Sequence, residues 1–264
     1  MQIDLETLLP RIIEISEIAS VEILKYYNTE LNIKEKDDHT PVTEADFAAH
    51  KTIVNALNEF TPNIPVLSEE SISISFDERK SWDTYWLVDP LDGTREFIKK
   101  NDEFTVNIAL IHQHSPILGV IYIPVTKICY YAHKDCGAFK RVDGSITKIT
   151  AKKTDLNSIV VAGSRSYRDS SLDNFLSKIN QYEIISMGSS IKSCLVAEGK
   201  VDIYPRLGPT SEWDTAAAQC IVEEAGGFVT DTELNRIQYN KKESLLNPHF
   251  LVFADNSITW NEYL

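Results

Sequence analysis

Trp86-Leu87-Val88-Asp89-Pro90-Leu91-Asp92-Gly93-Thr94 is the stretch on which the reading of this chain turns. An apolar run leads straight into two carboxylates three positions apart, then a glycine and a threonine. The run predicts a buried strand. Pro90 and Gly93 make the chain turn where the strand ends. Such a turn can aim both carboxylates into one small volume. Two acids that close repel each other unless a proton or a cation lies between them. A hard cation that prefers oxygen ligands suits a pair of aspartates. Backbone N–H groups following Gly93 would then face the anion that the cation holds. Read from its residues, the stretch predicts a metal-assisted phosphate site.

Working outward, the apolar spacing over 4–27 predicts a helix, and 43–60 predicts a second one. Thr43-Glu44-Ala45-Asp46 opens that second helix in the manner of a capping box. Strand patterns follow at 85–88, 105–112, 117–123, 128–132, 138–141 and 146–149, predicting a mostly antiparallel sheet packed on the first two helices. Beyond about residue 155 strand and helix alternate: strands at 159–162, 182–185, 201–204 and 250–253, helices at 170–179, 190–198 and 213–225. Gly226-Gly227 ends the last helix. Two layered halves, 1–155 and 156–264, are expected to share one cleft.

The 264 residues are enough for one large domain or two intimate ones. Hydrophobic residues at 43% and charged residues at 25% are an ordinary soluble balance. No apolar run reaches the roughly 18 residues that cross a bilayer. The N-terminus is acidic where a signal peptide is basic, so a cytoplasmic protein is expected. Cys129, Cys136, Cys194 and Cys220 form no C-x-x-C pair and are expected as reduced, mostly buried thiols. A net charge of −13 argues against binding a nucleic-acid polymer. It leaves room for a small anionic substrate, because bound divalent cations invert the local field.

A shared metal site needs carboxylates from several segments. Glu69-Glu70 follows the strand-like Ile64-Pro65-Val66-Leu67-Ser68 and reads either as a cleft acid or as a solvated loop. Asp214 lies in Ser211-Glu212-Trp213-Asp214, so it reads as a ligand or as a helix cap, and Asp46 carries the same ambiguity. His112 and His114 form a His-x-His pattern, but no third soft ligand is near in sequence, and a structural role is expected. Gly188-Ser189-Ser190, before a helix, reads as an anion-receiving turn or as a plain cap. Taken together, the residues predict a Mg²⁺-dependent phosphatase.

Asp89-Pro90-Leu91-Asp92-Gly93-Thr94, with Trp213-Asp214-Thr215-Ala216 and Glu224-Ala225-Gly226-Gly227, resembles the two signatures of the inositol-monophosphatase superfamily. The likeness takes in Val42-Thr43-Glu44-Ala45-Asp46 and Ser68-Glu69-Glu70-Ser71 and extends over essentially the whole chain. Within the superfamily, 93–100 and 103–110 are similar to the bacterial 3'(2'),5'-bisphosphate nucleotidase group, as are Gly188-Ser189-Ser190-Ile191-Lys192 and Tyr204-Pro205-Arg206. Gln219 and Ala218 stand where that group often has histidine and glycine, and Arg95 where lysine is common.

The resemblance implies a layered αβαβα sandwich of the sugar-phosphatase type. It implies two or three Mg²⁺ ions held by Glu69, Asp89, Asp92, Asp214 and the Leu91 carbonyl. Asp46 and Thr94 would orient the attacking water, with Glu69 also on the catalytic side. Implied substrate contacts are Glu69, Leu91, Asp92, Gly93, Thr94, Ser164, Arg165, Gly188, Ser189, Lys192, Arg206 and Asp214. Arg165, Lys192 and Arg206 are the candidates for a second phosphate. The implied reaction converts adenosine 3',5'-bisphosphate, a by-product of sulfur assimilation, to AMP and phosphate, with sensitivity to Li⁺. The runner-up is an inositol or sugar phosphatase on the same fold; outside enzymes, the rival is an acidic cation-binding scaffold. Monomer against homodimer, and peripheral association with the inner membrane face, stay open.

Overall fold

Asp4 opens the first helix by accepting the Thr7 N–H at 3.2 Å. The protein is described here by a computed structural model covering residues 4–29, 34–35, 41–71, 74–165 and 170–264; residues 1–3 of the acidic N-terminus lie outside that description. In chain order the elements are α1 (Leu5–Tyr27), β1 (Lys34–Glu35), β2 (Pro41–Val42), α2 (Glu44–Phe60), β3 (Val66–Ser68), α3 (Phe76–Arg79), β4 (Thr84–Asp92) and α4 (Thr94–Lys99). They continue with β5 (Thr105–His112), β6 (Ser115–Ile123), β7 (Ile128–His133), β8 (Gly137–Val142), β9 (Ser145–Ile149), β10 (Ile159–Ser164) and α5 (Ser170–Ser177). The last are β11 (Tyr182–Met187), α6 (Ile191–Ala197), β12 (Ile203–Arg206), α7 (Glu212–Glu224), β13 (Phe228–Asp231) and β14 (Phe250–Phe253).

Strands β3 to β9 form a seven-stranded sheet in sequence order. All its pairs are antiparallel except β3 with β4, which is parallel. The five-stranded sheet runs β11-β10-β12-β14-β13 and is mixed. Among the described residues, three hydrophobic cores define the layers. Ile12, Ile15 and Ile23 of α1 and Ala49 and Ile53 of α2 cover one face of the larger sheet through Trp86, Val88 and Ile108. Its other face, through Tyr85, Leu87 and Ala109, meets Val196 of α6 and Ala217 and Ile221 of α7, which also pack on Val229 and Val252 of the smaller sheet. Phe175 and Leu176 of α5 close the far side against Val161, Ile203 and Phe253. The order of layers is αβαβα, as the resemblance implied.

β4 therefore lies between two helical layers, and its successive side chains enter different cores. Burial on both faces explains why it reads as an unbroken apolar run rather than an alternating one. α7 crosses β6 at very short range. A Cβ on Gly119 would lie 2.4 Å from the Ala217 carbonyl oxygen, so glycine is required there. That contact, with Ala216, Ala217 and Ala218 buried, sets where the first turn of α7 arrives.

Three sequence expectations need correction. The strand expected at 85–88 runs on to Asp92 through an irregularity between Asp89 and Asp92 instead of ending in a turn at Pro90. The strand expected at 201–204 begins at Ile203, because Val201 still belongs to the turn after α6, its N–H bonded to Leu195 O. β13 was not foreseen: Phe228-Val229-Thr230-Asp231 is four residues long and follows directly on Gly226-Gly227, so no alternation develops. All four cysteines are free, with Cys136 exposed and the other three buried.

Candidate active site

Asp89 and Asp92 are three residues apart, and in a regular strand that spacing sends side chains to opposite faces. The pairing with β5 breaks between them: Asp89 pairs with Asn107 and Asp92 with Thr105, so β4 carries one residue more than its partner. This bulge, at Pro90-Leu91, brings the two carboxylates to the same side. The Leu91 N–H donates to Asp89 Oδ1 at 3.0 Å. Asp214 arrives from α7, and ligand oxygens of Asp89, Asp92 and Asp214 lie within 4.8 Å of one another. Glu69, on the 3-10 turn after β3, completes the acidic rim and lies close enough to Asp89 to act on its charge.

Two helix starts supply further acids. Asp214 accepts the Ser211 N–H through Oδ2 at 2.7 Å. Asp46 accepts the Thr43 N–H at 2.8 Å and the Thr43 hydroxyl at 2.7 Å, both through Oδ2. Its other oxygen, Oδ1, accepts the Thr94 hydroxyl at 3.1 Å. Each aspartate thus caps its own helix and still presents an oxygen inward, which reconciles the two readings left open above. Gly93 precedes α4 at a φ of +96°, where a side chain would be strained. Gly93, as the N-cap of α4, has no side chain with which to cap it. Thr94 Oγ1 also lies 3.4 Å from Leu91 O.

Glu69, the acids of β4 and α7, Gly93 and Thr94 line a cavity of 490 Å³ between the sheets. Of the residues named from sequence, Glu69, Asp89, Leu91, Asp92, Gly93, Thr94, Ser164, Gly188, Ser189, Lys192, Arg206 and Asp214 line it. Arg165 and Asp46 do not. Arg165 is half exposed and makes a two-pronged pair with Glu103, 2.7 Å on each arm, so it braces the rim. Lys192 is buried and donates to Ser189 O at 2.6 Å and Met187 O at 3.2 Å. Arg206 donates to Pro209 O at 3.0 Å. Trp213, Leu246 and Phe250 give the cavity an apolar wall. His112 and His114 form no metal pair: one Nδ1 lies 2.8 Å from Thr84 Oγ1 and the other 2.8 Å from Tyr239 O.

The electrostatics call for a cation. Burial first, then the charges of Glu69, Asp92 and Asp214, push the Asp89 carboxyl well above its ordinary range. Desolvation, then Asp92 and Glu69, raise Asp214 from 3.8 to about 8. Burial also raises Asp46, opposed by its hydrogen bonds to Thr43. Burial pulls the Lys192 ammonium down to about 8. Crowded, desolvated carboxylates are the donor set of a hard divalent ion. Among the described residues the cluster is all oxygen, with no histidine or thiol in it.

Residues 4–259 match the sequence model of the inositol monophosphatase family. The chain belongs to that family. The match contains every acid described above. Among its relatives, a protein of Haemophilus influenzae named 3'(2'),5'-bisphosphate nucleotidase CysQ is 40% identical over 97% of this chain and 96% of its own. A CysQ of Salmonella typhimurium is 44% identical over 93% of this chain and 99% of its own. The crystal structure of CysQ from Bacteroides thetaiotaomicron superposes with a TM-score of 0.80 at 41% identity, covering 92% of this chain and 96% of that one. An inositol monophosphatase of Thermotoga maritima superposes at 0.78 with 25% identity, covering 95% of each chain.

In this member of the inositol monophosphatase family, sequence reasoning passed over the polar residues behind the acids. Asn107 and Thr105 lie on β5 directly against the bulge, and Ser190 reaches Asp92 from the start of α6. Asn107 had a signal: it is a buried amide in the otherwise apolar Val106-Asn107-Ile108-Ala109-Leu110-Ile111. Ser190 had none beyond the Gly-Ser-Ser turn already noted.

Proposed function

We propose that this chain is a Mg²⁺-dependent 3'(2'),5'-bisphosphate nucleotidase that removes the 3'-phosphate of adenosine 3',5'-bisphosphate, giving AMP and phosphate. The observation that carries the reading is the convergence of Asp89, Asp92 and Asp214 within 4.8 Å on a cavity walled by Trp213, Leu246 and Phe250. The acids suit a cation bridging to a phosphate, and the apolar wall suits a flat purine. Relatives named as CysQ nucleotidases at 40% and 44% identity support the same substrate.

Asp89, Asp92, Asp214, Glu69 and the Leu91 carbonyl would hold two or three Mg²⁺ ions. Bound there, the metal supplies charge neutralisation, a water of lowered pKa and a partner for the leaving oxygen. The chain's own groups manage the proton. Thr94 Oγ1 gives its hydrogen to Asp46 Oδ1 and keeps lone pairs that can accept from a water. As the water oxygen bonds to phosphorus, its proton passes through Thr94 to the buried Asp46, whose raised pKa favours accepting it. The bond from phosphorus to the ribose oxygen breaks, and that oxygen takes a proton from solvent. Gly93 and Thr94 N–H groups orient the transferred phosphate, and Lys192, Arg206 and the Ser164, Gly188 and Ser189 rim accommodate the rest of the nucleotide. Arg165 contributes through Glu103 rather than by direct contact.

The reading divides the chain into 1–155, carrying most of the acids, and 156–264, carrying Asp214 and the nucleotide side. Free thiols suit a reducing cytoplasm, and among the described residues no helix is long and apolar enough to cross a membrane. Phosphate release from adenosine 3',5'-bisphosphate and inositol 1-phosphate, with and without Mg²⁺, tests the proposal. Metal-dependent preference for the nucleotide is expected; faster turnover of the inositol ester overturns the substrate assignment.

A further inference from the structure

Ser190 occupies the N-cap of α6, where a serine hydroxyl ordinarily accepts an N–H of its own first turn. Here it makes no such bond. Its backbone is helical, with φ −66° and ψ −6°, and its hydroxyl is turned outward to donate to Asp92 Oδ2. The Ser190 N–H donates to the same oxygen at 2.6 Å. Asn107 Nδ2 approaches that oxygen too, at 3.3 Å. Every hydrogen bond that Asp92 accepts among the described residues goes to Oδ2.

The direction of the hydroxyl is set from behind. Asp92 Oδ2 only accepts, so the Asn107 amide atom 3.3 Å from it is the nitrogen, and Asn107 Oδ1 is left to accept the Thr105 hydroxyl at 2.9 Å. The amide nitrogen of Asn107 then faces Ser190 and donates to its Oγ at 2.6 Å. With that lone pair taken, the Ser190 hydrogen has Asp92 as its partner. Asn107 and Ser190 are both buried, with Ser190 at the cavity wall. The turn that presents Ser190 is itself braced. Lys192 Nζ holds the Ser189 and Met187 carbonyls, and Glu103 accepts the Gly188 N–H at 2.8 Å. A Cβ on Gly188 would lie 2.6 Å from Glu96 Cγ and 2.7 Å from Glu103 O, so only glycine passes there.

We infer that Ser190, oriented by Asn107, is a positioning residue. It anchors the Asp92 carboxylate through Oδ2 and leaves Oδ1 to the divalent cation. Asp92 belongs to the seven-stranded sheet, whereas Ser190 follows β11 of the five-stranded one. The cation site is therefore complete only where the two sheets meet. The inference rests on the metal half of the function proposed above and not on the nucleotide.

The test is calorimetric titration of Mn²⁺ into the metal-stripped full-length chain, beside Mg²⁺ titrations of turnover. Ser190→Ala is expected to weaken Mn²⁺ binding about tenfold, the low end for groups that orient metal ligands. Its KM for adenosine 3',5'-bisphosphate at saturating metal should stay within about twofold, since ground-state substrate contacts are intact. Ser190→Thr, which keeps the hydroxyl, should recover most of the loss. Asn107→Ala should weaken Mn²⁺ binding in the same direction by less, and it decides the matter if Ser190→Ala does not fold. Wild-type Mn²⁺ affinity in the folded Ser190→Ala protein overturns the inference. So does a raised KM with unchanged metal affinity, which would make Ser190 a substrate contact. Failure of the wild-type protein to turn over the nucleotide while it binds Mn²⁺ would sink the substrate proposal and leave this one standing.

Discussion

α2 and α7 begin in the same way and end up with different chemistry. Each opens with a hydroxyl residue and, three positions on, an aspartate that returns Oδ2 to the backbone N–H of the first. The free oxygen of Asp46 then meets one hydroxyl, that of Thr94. Asp214 instead meets the carboxylates of Asp89 and Asp92. Similar local capping therefore leaves one aspartate facing a hydroxyl and the other facing carboxylates, the settings that suit the proton acceptor and the cation ligand proposed above. The neighbours that each helix start is packed against make the difference.

The largest effect expected from breaking this comparison is at Asp214. Asparagine can still accept the Ser211 N–H, so the helix start survives. The cation loses a charged ligand, and kcat/KM on adenosine 3',5'-bisphosphate should fall about 10³-fold, several kcal/mol at about 1.4 per decade. Metal-free Asp214→Asn should melt at a higher temperature than wild type, because the cost of burying that carboxyl beside Asp92 and Glu69 is gone. An unchanged turnover would contradict the assignment.

Asp46→Asn sharpens the contrast. It keeps the cap and removes the proton acceptor, so kcat should fall about 10²-fold, as for loss of a general base. Mn²⁺ binding at Asp89, Asp92 and Asp214, followed by calorimetry, should be close to wild type. Equal loss of metal affinity in both variants would erase the distinction between the two helices.

The pH dependence of stability is a smaller effect. Asp214 rises from 3.8 to about 8 in the metal-free fold, and Asp89 is raised as well. A carboxyl with a raised folded pKa stabilises fully below its unfolded value, and that contribution is lost as pH climbs through the folded value. The thermal midpoint of metal-free protein should therefore fall as pH rises from about 5 to about 8. Millimolar Mg²⁺ should restore it, by more at the upper end, where protons no longer separate the acids. Scanning calorimetry with and without chelator reads both trends.

The smallest effect is expected at Thr43. Thr43→Ala removes the hydroxyl that donates to Asp46 Oδ2 and accepts the Ala45 N–H at 3.2 Å. Losing such a cap costs about 1 kcal/mol, a drop of a few degrees in midpoint. Turnover should barely move, because the Thr43 N–H still holds Asp46.

Much of the layering was legible in the chain. Helical spacing in α1 and α2, the unbroken apolar run of β4 and the later strand-helix alternation each follow from how a segment buries its own side chains. β13 was not legible, because four residues after two glycines carry too little pattern. In the site, Asp89, Asp92 and Asp214 could be read from acid spacing and motif, yet Arg165 could not be placed. Its charge invited a substrate contact, and the fold gave it to Glu103. Asn107 and Ser190 escaped notice because their roles exist only toward a partner distant in sequence.

By itself the sequence determined which residues carry charge, where strands stop, and that two helices begin with an aspartate able to cap. Those are local properties, set by side-chain chemistry and short-range backbone geometry. Only the tertiary structure decided that the β4 bulge turns Asp89 and Asp92 to one side, that α7 meets Gly119 closely enough to deliver Asp214 beside them, and that Ser190 forgoes its own helix for Asp92. The physical reason is that carboxylates acquire their roles from the charges and donors within a few ångströms. In this fold those neighbours come from segments many residues apart, joined across two sheets.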